Sequence, residues 1–135
     1  MKLEVGEKLP ELVKPAITQT QLVMYSGASG DFNPIHTVEA YAEQVGLGGT
    51  IAHGMLSMAF VGQMLKEAMG PRGRLQEWGV RFQEMVRPGD VLTCSGTITG
   101  VREEADGHVV ECDVVALTQK GVKAVSGTAT FRMLK

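Results

Sequence analysis

From Ile51 to Met69 nearly every residue is apolar: Met55, Leu56, Met58, Ala59, Phe60, Val61, Met64, Leu65, Ala68 and Met69 leave few polar positions. At helical spacing these side chains cover most of the circumference, so the pattern predicts a helix that must be surrounded by protein. Gly70-Pro71 ends it, since glycine suits a helix C-terminus and proline cannot continue one. The longest apolar run, Gly54 to Gly62, is broken by Ser57. It is far short of the roughly 20 residues that span a bilayer, which makes this a core helix and predicts no membrane segment.

Strand-like segments follow the helix. In Glu77 to Val86, Trp78, Val80 and Phe82 share a face, and in Val91 to Val101, Leu92, Cys94, Gly96 and Ile98 do so. Arg87-Pro88-Gly89-Asp90 between them is a turn. Asp106-Gly107 is a hairpin signal leading to Val110, Cys112, Val114 and Ala116 on one face. Lys120-Gly121 turns into a last strand in which Val125, Ala129, Phe131 and Met133 point inward. An early strand from about Leu12 to Ile17 adds a fifth member.

Upstream of the main helix, Thr18-Gln19-Thr20-Gln21 reads as a capping box that starts a helix running to about Ser29, weakened by Gly27 and stopped by Gly30. A short helix from about Val38 to Gln44 and a loop of Gly46, Gly48 and Gly49 come next. One buried helix followed by hairpin-connected strands predicts an α+β fold in which a five-stranded antiparallel sheet wraps around the helix. The 135 residues carry no repeat and no linker, so residues 1–135 are expected to form a single domain.

A formal charge of −2, with Lys and Arg scattered, gives no reason to expect a nucleic-acid or membrane partner. Cys94 and Cys112 fall in strand-like segments without metal-ligand spacing, and read as small buried hydrophobes of a reducing, cytoplasmic setting. Met1-Lys2-Leu3-Glu4 lacks the apolar stretch of a signal peptide.

The chemistry is concentrated in Asp31-Phe32-Asn33-Pro34-Ile35-His36. An Asn-Pro bend between a carboxylate and an imidazole can aim both at one small volume, and that pair is the commonest means of moving protons near neutral pH. Asp and Asn also favour turns through local hydrogen bonds, so a solvated turn is the plainer reading of the hexapeptide alone. Thr50-Ile51-Ala52-His53-Gly54-Met55 supplies a second element. A helix start presents unpaired N–H groups and partial positive charge. Gly54 has no side chain to hold a ligand away, so its N–H suits a carbonyl oxygen that gathers negative charge. The alternatives are that Gly54 is small for packing and that His53 is a partly exposed helix-start residue. No phosphate-binding glycine loop and no nucleophile elbow is present. His36, His53 and His108 sit in three separate contexts, and no metal site is expected.

Tyr25-Ser26-Gly27-Ala28-Ser29-Gly30-Asp31-Phe32-Asn33-Pro34-Ile35-His36, followed by Ile51-Ala52-His53-Gly54-Met55-Leu56, resembles the MaoC-like dehydratases and (R)-specific enoyl-CoA hydratases. Val80-Arg81-Phe82 and Val86-Arg87-Pro88-Gly89-Asp90 are similar to that family's strand and turn. The resemblance runs from about Thr18 to Met133. It implies a hot-dog fold and a homodimer, open to further assembly, with active sites at the dimer interface. It implies a reversible hydration of trans-2-enoyl thioesters to (3R)-hydroxyacyl thioesters, carried on CoA or on an acyl-carrier protein and needing no cofactor. In that scheme Asp31 and His36 hold one water: His36 takes its proton as it attacks C3, and Asp31 delivers a proton to C2. Gly54 N–H binds the thioester oxygen, and Asn33 and His53 support the substrate site. A dehydratase of fatty-acid synthesis, a non-catalytic acyl-binding subunit and a thioesterase are the rival expectations.

Overall fold

The computed structural model describes residues 1–135. In chain order the elements are β1 (Leu12–Val13), α1 (Gln19–Ser29), a 3-10 turn (Pro34–His36), α2 (Glu39–Gln44), α3 (Gly54–Met69), β2 (Gly73–Phe82), β3 (Thr93–Glu104), β4 (Gly107–Leu117) and β5 (Lys123–Leu134). All sheet pairings are antiparallel, in the order β1-β3-β4-β5-β2. Leu56, Phe60, Val61, Met64 and Leu65 of α3 lie in one cluster with Cys94, Ile98, Val110, Cys112, Val114, Ala116, Val125, Ala129 and Phe131 of the sheet. This is the hot-dog arrangement, with α3 as the wrapped helix. Burying that many aliphatic and aromatic side chains, at about 1.5–3 kcal/mol each, is the main favourable term in holding it together. No helix is long and apolar enough to cross a membrane.

The register matches the alternation expected from the sequence. Ile98 pairs with Cys112, Cys112 with Ala129 and Val110 with Phe131, so one face of β3, β4 and β5 carries the core. Irregularities between Ile98 and Gly100 and between Leu75 and Glu77 increase the local twist that lets the sheet curl. Cys94 and Cys112 are free and buried.

Several boundaries differ from the sequence reading, each because backbone hydrogen bonds go elsewhere. The main helix begins at Gly54, not Ile51: His53, at φ −61° and ψ 133°, is the extended N-cap, and before it the Ile51 N–H donates to the Ile35 carbonyl (3.1 Å) and the Ala52 N–H to the Val86 carbonyl (2.7 Å). Those two residues are an extended strap between loops. The early strand is paired only over Leu12–Val13; Pro15 has no N–H to donate, although Ile17 N–H still reaches the Asp90 carbonyl (2.9 Å). β2 runs over Gly73–Phe82 instead of Glu77–Val86, since its first residue already pairs with Met133. The β3–β4 turn is Ala105-Asp106, with Glu104 paired to Gly107 across it.

Candidate active site

The site is built where α1 ends. Thr18 accepts a hydrogen bond from Gln21 N–H (3.0 Å) and caps α1, as the capping-box reading expects. Gly30, at φ 77°, ends it in the left-handed conformation that side chains disfavour. The chain then folds on its own side chains. Asp31 N–H donates to Ser29 Oγ, Asn33 N–H to Asp31 Oδ1 and Ile35 N–H to Asn33 Oδ1, each at 3.2 Å. Asn33 is therefore the cap of the 3-10 turn, and Pro34 holds its first position with a φ already set.

That turn carries His36 inward and leaves Asp31 at the surface. The His36 side chain is 8% exposed and that of Asp31 51%, with Nε2 and Oδ2 3.6 Å apart. Because Asn33 N–H occupies Oδ1, it is Oδ2 that faces the imidazole. His36 Nδ1 lies 2.7 Å from the Ile51 carbonyl. A carbonyl only accepts, so Nδ1 carries the ring proton and Nε2 keeps a lone pair directed at the Asp31 side. The later start of α3 makes this possible: an Ile51 carbonyl inside a helix would be committed to that helix.

A web of bonds fixes the strap. Gln19 Nε2 donates to the His36 carbonyl (2.8 Å), and Gln19 Oε1 accepts from Thr50 Oγ1 (2.6 Å). Thr50 N–H donates to Glu39 (3.2 Å), and Arg87 binds the carbonyls of Leu47 and Gly49. Gln19 gave no sign of this role in the sequence, because its two partners, His36 and Thr50, come from two distant segments.

His53 is not the partly exposed residue of the sequence alternative. It is 2% exposed, its ring stacked on that of His36 with centroids 3.8 Å apart and planes 21° from parallel. Tyr25 meets it edge-on at 4.7 Å, and Ser26 Oγ lies 3.0 Å from its Nε2. Its pKa is lowered, first by burial and then by the neighbouring His36, with the Asp31 carboxylate opposing. The fold thus joins two of the three histidines the sequence keeps apart; His108 stays distant at the start of β4. Asp31, His36 and His53 offer ligating atoms within 4.8 Å of one another. Stacked imidazoles, however, point their in-plane lone pairs side by side instead of at a common ion. Ser26 was missed in the sequence; its one sign was a polar residue four positions after Leu22, on the buried stripe of α1.

Gly54 is the first residue of α3, and His53 precedes it as N-cap without a side-chain capping bond. The Gly54 N–H has no acceptor within the helix. The Phe82 ring covers this glycine: a Cβ there would lie 3.1 Å from Cδ1. Beside it opens a cleft of about 170 Å³ walled by Ile51, Ala52, Ser57, Phe82 and Val125. Asp31 and His36 are not among its walls. Phe82 in its wall and Phe32 in the turn are at least half exposed, as are Met24 of α1 and Met55 of α3. Chemically, the arrangement offers a base at Nε2, a carboxylate that can hold a proton or a water, and a helix-start N–H for an oxyanion.

A family model described as "MaoC like domain" matches residues 2–120. An (R)-specific enoyl-CoA hydratase of Rhodospirillum rubrum is 35% identical over 89 residues, which is 65% of this chain and 62% of that protein. A fatty acid synthase subunit beta of Aspergillus oryzae is 41% identical over 88 residues, 63% of this chain but 4% of that much longer protein. Among solved structures, the (R)-hydratase of Aeromonas caviae superposes with a TM-score of 0.84 at 29% identity, covering 97% of each chain. The chain thus spans less than two thirds of those first two relatives and nearly all of the third. With its residues 2–120 matched and the hot-dog architecture in place, the chain belongs to the MaoC-like domain family.

Proposed function

We propose that this protein is a hydro-lyase adding water reversibly to trans-2-enoyl thioesters to give (3R)-hydroxyacyl thioesters, with CoA as the carrier. The observation that carries the reading is the Asp31–His36 pair, held with the Nε2 lone pair facing a surface carboxylate at 3.6 Å. The nucleophile is a water hydrogen-bonded to both side chains. His36 Nε2 accepts one of its protons as the oxygen bonds to C3, and the electron pair of the double bond moves to C2 and the thioester oxygen. The Gly54 N–H holds that oxygen, stabilising the charge where it develops. The Asp31 carboxylate takes the water's proton from His36 and delivers it to C2, which returns both groups to their starting states. The balance needs only acid, base and an oxyanion donor, so no redox or metal cofactor enters. Asn33 acts through the turn that it caps.

The site is completed by a second copy of the chain. β2 ends the sheet with one edge unpaired, and Leu75, Phe82 and Met85 on and after it are exposed. A homodimer joined there covers these side chains and encloses the open cleft. Two free buried cysteines fit a cytoplasmic setting. A second reading, dehydration on an acyl-carrier protein, is favoured by the 41% identity to part of a fatty acid synthase beta subunit.

The test is loss of the conjugated enoyl-thioester absorbance of crotonyl-CoA. Asp31→Asn and His36→Ala each lower kcat by about 10²- to 10⁴-fold. Full activity in both variants overturns the mechanism, and release of free thiol moves the protein to the thioesterases. Faster turnover of the same acyl group on a carrier protein selects the second reading.

A further inference from the structure

His53 is the one buried titratable ring that the reaction above does not use. Its ring stacks on that of His36, and Ser26 of α1 reaches its Nε2 at 3.0 Å. The hydrogen bond from His36 Nδ1 to the Ile51 carbonyl fixes one point of the catalytic imidazole. One point does not fix a plane: the ring can still swing about that bond and carry Nε2 away from Asp31. A flat, buried neighbour 3.8 Å away removes that freedom, since any swing drives His36 into it.

We propose that His53, oriented by Ser26, is a positioning residue that holds the plane of His36 and keeps Nε2 aimed at the water site beside Asp31. This deepens the hydratase reading and rests on it. The groups that face His53 are Tyr25 and Ser26 from α1, Asp31 from the loop and His36 from the 3-10 turn. Burial disfavours a charge on His53, and so does the neighbouring His36, so His53 stays neutral while His36 gains and loses its proton. Ser26 Oγ lies 3.0 Å from Nε2 of the His53 ring, and that is the one hydrogen bond the ring makes, since its buried Nδ1 has no partner. Ser26 is in effect the peg that stops His53 from turning. A neutral ring beneath His36 also presents a π face to the imidazolium formed in the reaction.

The experiment uses the full chain and two variants, Ser26→Ala and His53→Gln. The first removes a single oxygen and leaves the ring; the second keeps an amide that can reach Ser26 but removes the flat face. Crotonyl-CoA kinetics are read together with the ¹⁵N spectrum of the His36 ring. In both variants kcat falls about 10- to 100-fold, the scale of a misplaced reacting group, while KM stays within about twofold, since both side chains are buried. The His36 spectrum changes from a single Nδ1–H tautomer to a mixture. The inference is overturned by an unchanged kcat in both variants, or by KM rising in proportion with kcat held, which would make His53 a substrate contact. An unchanged His36 spectrum overturns it as well. If the parent protein hydrates no enoyl thioester, the hydratase reading fails by itself, and the spectra alone decide whether His53 and Ser26 hold His36. Should His53→Gln not fold, Ser26→Ala decides.

Discussion

Replacing Gly54 by Ala separates the two explanations of that glycine, packing and catalysis. An added Cβ would lie 3.1, 3.2 and 3.4 Å from Cδ1, Cε1 and Cγ of Phe82. These atoms belong to a ring that is 51% exposed at the last residue of β2, so it can give way by a few tenths of an ångström at little cost. Gly54 does not have a positive φ, so alanine suits the backbone. Exchanging glycine for alanine in a helix gains up to about 1 kcal/mol. The contact and the gain nearly cancel, so stability changes by less than about 1 kcal/mol and Tm by less than about 5 °C. Activity follows a different balance. The substitution keeps the N–H, but its methyl group crowds the approach of the thioester oxygen proposed to bind there, and a donor blocked in this way costs up to about 10²- to 10³-fold in kcat, as much as losing one. Thermal unfolding by circular dichroism and crotonyl-CoA kinetics on one preparation give both numbers. Near-normal turnover with unchanged Tm would refute the oxyanion role of Gly54. A fall in Tm of more than about 10 °C would instead show that the glycine is there for packing.

His53 makes stability depend on pH. Its folded pKa lies below 6.5, so between 6.5 and that lower value the unfolded chain binds the proton more readily. Stability is therefore complete above about 6.5 and declines as pH falls towards the folded pKa, by at most about 1.4 kcal/mol per unit. Urea unfolding at about pH 7.5 and about pH 5.5 shows that extra slope in the parent and not in His53→Gln; equal slopes would count against it. Burial pushes both Cys94 and Cys112 up to about 11, so iodoacetamide at about pH 8 labels neither until the chain is unfolded. Prompt labelling of the native protein would contradict the packing described. At Gly127 a Cβ would fall 1.9 Å from the Gly79 carbonyl oxygen, a backbone atom that cannot step aside. Gly127→Ala is expected to lose about 3 kcal/mol in denaturant unfolding, through loosening of β2 from β5.

The fold was legible because its signals are local and repeated. A largely apolar helix needs a wrapping, and strands with alternating Val110, Cys112, Val114 and Ala116 supply one inner face, although the sheet covers only one side of α3 and leaves Met55 and Ala59 exposed on the other. What was not legible were the ends of elements, which partners far away in the chain decide. Nothing in Ile51-Ala52 says that their N–H groups go to Ile35 and Val86. The same holds for the site. The Asp31–His36 spacing and the Asn33 turn could be read locally, whereas the stacking of His53 on His36 depends on where α1 and α3 bring their ends. A histidine beside a helix start carries no sequence mark of burial, and Ser26 carried only a weak one.

That division explains why the proposed acid/base pair can sit on a turn. Loops are ordinarily the mobile part of a fold, and an imidazole that wanders is a poor base. Here Asp31, Asn33 and Pro34 satisfy or remove the donors of the turn locally. Gln19 and the Ile51 strap fix its far end through contacts up to 17 residues away. Order in the turn is thus bought during folding, by bonds the substrate never touches, and none of it has to come from substrate binding. The exposed half of Asp31 and the uncommitted Nε2 of His36 are what remain free, and those are the two groups proposed to hold the water.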